Sequence, residues 1–409
     1  MKRAGMFLLL AVPLVLGSAF SQQQQNFQEA ATGFDDQTNG SASSGDFTSA
    51  EAQFSQIEAP TPDGLGPTFN ATSCRDCHQN QVTGGASQIS ELRAGHTGSD
   101  GSFVPATVTL RDGSQIALRS LINQRAICPD AQEYVPESET IRATRLSLPL
   151  TGDGYVEAVP DSELKAIAQQ QPGVSDGRVH GEWISVPILE APGASGVGRF
   201  GWKDQHASLL SFSGDAYVNE MGISNRLFPA DFTTLCNPPG IAEPNNLQND
   251  IDQFTQFMRA LKAPPRDQTL AATTDAVAGQ QLFSAIGCAT CHVPSLTTAP
   301  TGTAINGGTF TIPDALGNKI FHPFGDFLLH NIGTGDGIVQ AGGQETANKL
   351  RTMPLWGTRT RPQKMHDGLS LTFENAINRH KGEAAAASER FRDLTPRQRA
   401  ALITFLNSL

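Results

Sequence analysis

The chain is short of basic side chains, of cysteine and histidine, and of long apolar runs, and each shortage narrows its function. With 29 Lys and Arg against 40 Asp and Glu, the net charge of -11 offers no basic surface to a phosphate backbone, which argues against nucleic acid as a partner. The apolar stretch from Met6 to Leu16 is too short to cross a bilayer. Lys2 and Arg3 precede it and Ala19-Phe20-Ser21 follows it, so residues 1–21 read as a signal peptide that exports the chain to a periplasm. Cleavage would leave no stable membrane span and would move the net charge from -11 to -13, since only Lys2 and Arg3 are lost. Retention of the segment as an anchor is the alternative, which the Gln-rich stretch after it would also suit. No solenoid repeat is visible, and the length of 409 residues suits two or three domains with their own cores.

Against this scarcity, four of the six cysteines and two of the nine histidines fall into two copies of one pattern, Cys74-Arg75-Asp76-Cys77-His78 and Cys288-Ala289-Thr290-Cys291-His292. In Cys-x-x-Cys-His the two thiols are spaced to form thioethers with the vinyl groups of haem, and the adjacent imidazole is placed to bind the iron. Two covalently bound haem c groups are expected. A zinc site is the rival reading, since Cys and His pairs also ligate zinc. The remaining pair, Cys128 and Cys236, is a candidate disulfide in an oxidising compartment, where it would close a long loop and stabilise by about 4 kcal/mol. Two buried free thiols are the other reading.

Residues 22–60 are rich in Gln, Ser, Thr, Ala and Gly and read as a flexible leader with one short helix. A first haem domain is expected over 61–262, ended by Ala263-Pro264-Pro265-Arg266, and a second over 269–409. The fold is expected to be mainly α: two cytochrome c-like domains facing each other, with a loop-rich insertion over about residues 100–195 that carries short β-hairpins. One hairpin is expected where Ala106 to Leu110 and Gln115 to Leu118 flank Arg111-Asp112-Gly113-Ser114, and another around Phe310 to Ile320, turning near Gly317-Asn318. In the second domain, a helix opened by Thr274-Asp275 leads into Cys288. A last helix begins with Thr395 as N-cap and Pro396 at its first position. These two helices are expected to cross. Between them, Thr372 caps a helix whose Phe373, Ala376, Ile377 and His380 share one face. On such a face His380 is either a satisfied core residue or an iron ligand.

The chain resembles the bacterial di-haem cytochrome c peroxidase and MauG superfamily, most closely its di-haem branch labelled "putative thiol oxidoreductase". The segments that carry the resemblance are Asp63-Gly64-Leu65-Gly66-Pro67 with Phe69-Asn70, Phe200-Gly201-Trp202-Lys203 through Ala207-Ser208-Leu209 to Glu220-Met221-Gly222, Gly279 to His292, Leu350-Arg351, Pro354-Leu355-Trp356-Gly357, His366-Asp367-Gly368, and Ala376-Ile377 to His380. The resemblance implies a periplasmic di-haem oxidoreductase of peroxidase type. His380 falls where the family has a distal Met or Tyr ligand, with Met365 as runner-up and His330 third. Trp202 falls at the family's tryptophan between the haems, and Glu220 at the acid/base of the peroxide pocket. His96, in Ala94-Gly95-His96-Thr97-Gly98, resembles the removable distal histidine of the first haem. Calcium is implied by Thr360-Arg361-Pro362, which is similar to the family's Thr-x-Pro segment. A small redox protein or another electron donor is the expected partner, with peroxide or another small molecule as substrate; a thiol substrate rests on the branch's label alone. The alternatives are a non-catalytic electron carrier and a MauG-like or oxygenase enzyme acting on an organic or protein substrate.

Overall fold

In a computed structural model that describes residues 26–409, the chain is packed almost from its first described residue. The expected signal peptide lies outside the described residues. The expected flexible leader is corrected over the part described. Gln28–Glu29 forms a short strand beside Lys319–Phe321, and helix α1, Ser44–Phe54, is capped by the Ser43 side chain. Phe47, Ala50 and Phe54 recur at helical spacing and are buried, so an otherwise small and polar segment has one apolar face. Phe54 and Phe47 lie 4.8 and 5.3 Å, ring to ring, from Phe257. Burying two phenylalanines contributes roughly 3–6 kcal/mol toward holding this segment on the core.

The expected loop-rich insertion is instead a sheet for much of its length. Its strands are β1 (Ser90–Thr97), β2 (Phe103–Leu110), β3 (Gln115–Arg119), β4 (Leu121–Ile122), β5 (Glu133–Tyr134) and β6 (Ile141–Leu146). They pair in the order β3-β2-β1-β4, with β5 also on β2 and β6 also on β1. The β2–β3 hairpin forms where the Asp112-Gly113 turn is expected, with Thr109 opposite Gln115. Strand β1 reads as a loop in the sequence because of its glycines. In the sheet, however, a Cβ on Gly95 would lie 2.4 Å from Phe103 Cε2, so that glycine serves close packing. The second expected hairpin does not form: Phe310–Thr311 pairs with Ala304–Ile305, while Lys319–Phe321 pairs with Leu296–Thr297. Pro313 lies between them, cannot donate to a ladder, and starts a turn closed by Leu316 and Gly317.

Helices gather around the two haem motifs, but with several small sheets beside them the chain as a whole is mixed and not mainly α. After Asp161–Val174 (α2) come α3 (Leu209–Met221) and α4 (Asp250–Ala260), which with α1 enclose the first motif. Near the second motif, α5 (Thr274–Ala285) crosses the last helix, and α6 (Phe373–Arg379) precedes α7 (Pro396–Asn407). The α5–α7 crossing is close because Gly279 sits at it: a Cβ there would meet Ala401 O at 2.1 Å. Phe283, Leu402, Phe405 and Leu406 fill this core. The buried face of α5 is Ala276–Gly279–Phe283, and Val277 points to solvent. No break in the core marks the expected boundary at Ala263. The largest apolar cluster runs from Ala30 to Trp356 and takes Leu261, Ala263 and Leu296 together.

Candidate functional site

Each haem motif opens onto its own cavity. Cys74, Cys77 and His78 line one of about 180 Å³, with Phe54, Asn70, Glu91, Arg93, Arg145, Glu220 and Met221 around it. Cys288, Cys291 and His292 line one of about 270 Å³, with Phe283, Met365, His366, Phe373, Ile377 and His380. Because the two thiol pairs face different cavities, they cannot combine into one tetrahedral metal site. Burial pushes the Cys77 and Cys288 thiols up to about 12, so their surroundings favour neutral sulfur over thiolate. Thioether attachment suits such surroundings, and zinc does not.

Two of the imidazoles that line the larger cavity, His292 and His380, are held in one tautomer. His292 Nδ1 is 3.0 Å from Phe324 O and His380 Nδ1 is 2.7 Å from Ala376 O. A carbonyl oxygen only accepts, so each Nδ1 carries the proton and each Nε2 keeps a free lone pair. Burial lowers the pKa of both rings, His292 to about 4, which keeps them neutral. Helix α6 ends at Arg379, and His380 is its C-cap with extended backbone. Met365 and His330 also line this cavity. His330 is corrected as a ligand choice: its Nε2 is 2.9 Å from Asp326 and its Nδ1 2.9 Å from Glu383, so both nitrogens are engaged. Among the described residues, one cluster has metal-ligand spacing, Cys291, Asp326 and His330. Thr360, Arg361 and Pro362 line the larger cavity too, but Arg361 and Lys364 put positive charge there, which does not suit calcium.

Trp202 lies where the two cavities meet and, with Leu146 and Ser147, lines both. Its Nε1 donates to Leu146 O at 2.8 Å, and its ring stands edge-on to His366 at 6.0 Å. The end of β6 supplies this junction: Leu146 N donates to His366 O, and Ser147 Oγ donates to Cys77 O at 2.8 Å. Next to Trp202, the buried Lys203 ammonium donates to the carbonyls of Thr346, Ala347 and Lys349 and lies 3.3 Å from Asp336.

Glu220, near the end of α3, faces the smaller cavity. Its peptide oxygen accepts from Asn70 N at 2.7 Å and its carboxylate from Asn70 Nδ2 at 2.8 Å. Two of the segments that carry the resemblance, Asp63–Asn70 and Glu220–Gly222, thus meet at Asn70. Burial and the neighbouring Glu91 push the Glu220 carboxyl up to about 8. The sequence reading missed Glu91, Arg93 and Arg145. The only available signal for the first two was their two-residue spacing in β1, which puts both on one face of the strand. Arg145 is buried and its Nη2 has no partner among the described residues, as is also true of His78 Nδ1. An unpartnered guanidinium nitrogen at the cavity wall fits a haem propionate. Each wall therefore fits a haem.

His96 is not brought to this site. It stands in β1 opposite Val104, its Nδ1 2.8 Å from Glu139, and it lines neither cavity. Its glycine-flanked segment is held in a ladder and is not a free loop. Cys128 and Cys236 form a disulfide, with Cα atoms 6.4 Å apart.

A family model described as "Di-haem oxidoreductase, putative peroxidase" matches residues 95–409. No curated protein matches the chain. Among solved structures, the chain is similar to the hydrazine synthase of Kuenenia stuttgartiensis at 14% identity and TM-score 0.41, covering 100% of both chains. It is similar to a MauG-like protein associated with microbial copper homeostasis at 14% identity and TM-score 0.41, covering 96% of this chain and 95% of that one.

Proposed function

The chain belongs to the di-haem oxidoreductase family, and from that premise we propose that it reduces peroxide at the first haem motif with electrons relayed from the second. The asymmetry of the two cavities carries this reading. The larger holds His292 and His380, two imidazoles with free Nε2 atoms, which suits a six-coordinate relay centre. Among the described lining residues of the smaller cavity, His78 is the only imidazole, and three carboxyl groups, those of Glu91, Asp215 and Glu220, share its wall with two arginines.

Cys74, Cys77 and His78 would hold one haem, and Cys288, Cys291, His292 and His380 the other. Haem, when bound, supplies a one-electron redox centre with an exchangeable coordination position. The protein's own part is proton handling and electron routing. Reduction of hydrogen peroxide to two waters takes up two electrons and two protons. Breaking the O–O bond requires a proton on the departing oxygen, and Glu220, held by Asn70, is a carboxyl kept protonated near neutral pH. Trp202 lines both cavities and is fixed by Leu146, which suits it to pass electrons. The electrons come from a small one-electron redox protein. Export to an oxidising compartment is supported by the Cys128–Cys236 disulfide. Among the described residues no helix is long and apolar enough to cross a membrane.

Glu220→Gln tests the reading. It keeps size and one hydrogen-bonding oxygen, so both haems and their potentials should stay while peroxide turnover falls about 100-fold or more. Unchanged turnover would remove Glu220 from the mechanism.

A further inference from the structure

Glu220 is not alone at the smaller cavity. Its carboxyl and that of Glu91, from β1, are neighbours on the same cavity wall. The two are held by different chemistry. Arg93 forks onto Glu91, with Nε 2.7 Å from Oε1 and Nη2 3.1 Å from Oε2, and Arg145 Nη1 stands 4.0 Å from Oε1. Glu220 receives the neutral amide of Asn70. Two neighbouring carboxyl groups away from bulk water share one proton, because two negative charges there would repel. Paired guanidinium groups fix the charge on Glu91, and the proton falls to Glu220.

We propose that Glu91 is a second catalytic residue, the base of a one-proton carboxyl pair in which Glu220 is the acid and Arg93 holds the base in place. This rests on the peroxidase reading of the cavity. The proton on one peroxide oxygen passes to Glu91 while Glu220 protonates the other oxygen, which leaves as water when the O–O bond breaks. The remaining oxygen takes two electrons from the donor protein and two protons from solvent and leaves as the second water. The proton on Glu91 then returns to Glu220, and the pair is reset.

The other charged or titratable groups around Glu220 are Arg93 on β1, Arg145 on β6, Arg119 at the end of β3 and the Cys77 thiol, with Asp215 lower on α3 paired to His206. Glu91 is the anion beside the carboxyl on this wall, so its removal should let Glu220 ionise against Arg93.

The test is infrared spectroscopy of the oxidised haem-loaded protein together with peroxide turnover across pH. Wild type should show a carboxylic acid C=O band at neutral pH that is absent in Glu220→Gln and disappears as pH rises through about 8. In Glu91→Gln that band should be missing at pH 7. The alkaline limb of turnover should move down by on the order of one pH unit or more, and the rate should fall about 100-fold. Glu91→Asp, which keeps the charge, should restore the band and at least a tenth of the rate. If Glu91→Gln keeps the wild-type rate and limb while Glu220→Gln is slow, the pair is overturned and the pocket stands. If Glu220→Gln is also fast, both carboxyls leave the mechanism and the pair is overturned; only a wild type that turns over no peroxide sinks the peroxide reading itself. Absence of the acid band in wild type overturns the pair whether or not any variant folds.

Discussion

Replacing Asp336 by Asn should destabilise the protein and remove part of its acid sensitivity. The Asp336 side chain is only 2% exposed and stands between two buried cations, 2.7 Å from Arg145 Nε and 3.3 Å from Lys203 Nζ, and it also accepts from Ile338 N at 3.1 Å. Asn keeps the shape but leaves Lys203 without an anion and Arg145 with only Glu91 at 4.0 Å, a change that costs about 3–5 kcal/mol when one partner of a buried pair is removed. The pH dependence gives an independent figure. The two cations lower the Asp336 pKa from 3.8 to about 2. That shift corresponds to roughly 2.5 kcal/mol at 1.36 kcal/mol per unit. Because the folded pKa is the depressed one, this stability is fully present above about pH 4 and is lost as pH falls through about 2. Urea unfolding of the haem-loaded protein at pH 7 and pH 3 measures both effects. Asp336→Asn should lose several kcal/mol at pH 7 and show a shallower loss between the two pH values than wild type. Arg145 also lines the first cavity, so the haem spectrum there should shift. A variant within about 0.5 kcal/mol of wild type at pH 7, with unchanged acid dependence, would refute the reasoning.

Other outcomes are equally specific. Cys291→Ala should leave one haem strongly bound per chain on a denaturing gel, because each motif has its own cavity; loss of both on this change would count against two separate attachments. His380→Met should raise the potential of the second haem, since thioether ligation raises it relative to imidazole. A potential that moves instead with Met365→Leu would transfer the ligand role to Met365. Trp202→Phe should spare peroxide binding and slow electron delivery from the second haem, as followed by rapid mixing; unchanged transfer would leave Trp202 as a packing residue.

What was legible in the sequence was local. The two Cys-x-x-Cys-His motifs need five consecutive residues each, and α7 announces itself through Thr395 and Pro396, whose cap the structure completes with Gln398. His380 was legible because helical spacing puts it on the face shared by Ala376 and Ile377. The rest depended on partners distant in the chain. Strand β1 pairs with β6 from Ser90 opposite Leu146 to Gly95 opposite Ile141, and only that pairing brings Arg145 and Glu91 to one wall. The glycines around His96 pointed to a mobile loop, but the ladder and Glu139 hold that segment. In the leader, Phe47, Ala50 and Phe54 were correctly spaced for a buried face, yet the polar composition around them outweighed three residues whose partner, Phe257, lies two hundred positions away.

The most direct test of a peroxide-reducing first haem fed by a bis-imidazole second haem is the spin state of the half-reduced protein before and after peroxide is added. A high-spin signal that disappears on adding peroxide, with donor oxidised in step, is the predicted result. Two low-spin centres unaffected by peroxide, with no turnover from any donor, would contradict the account and leave an electron carrier.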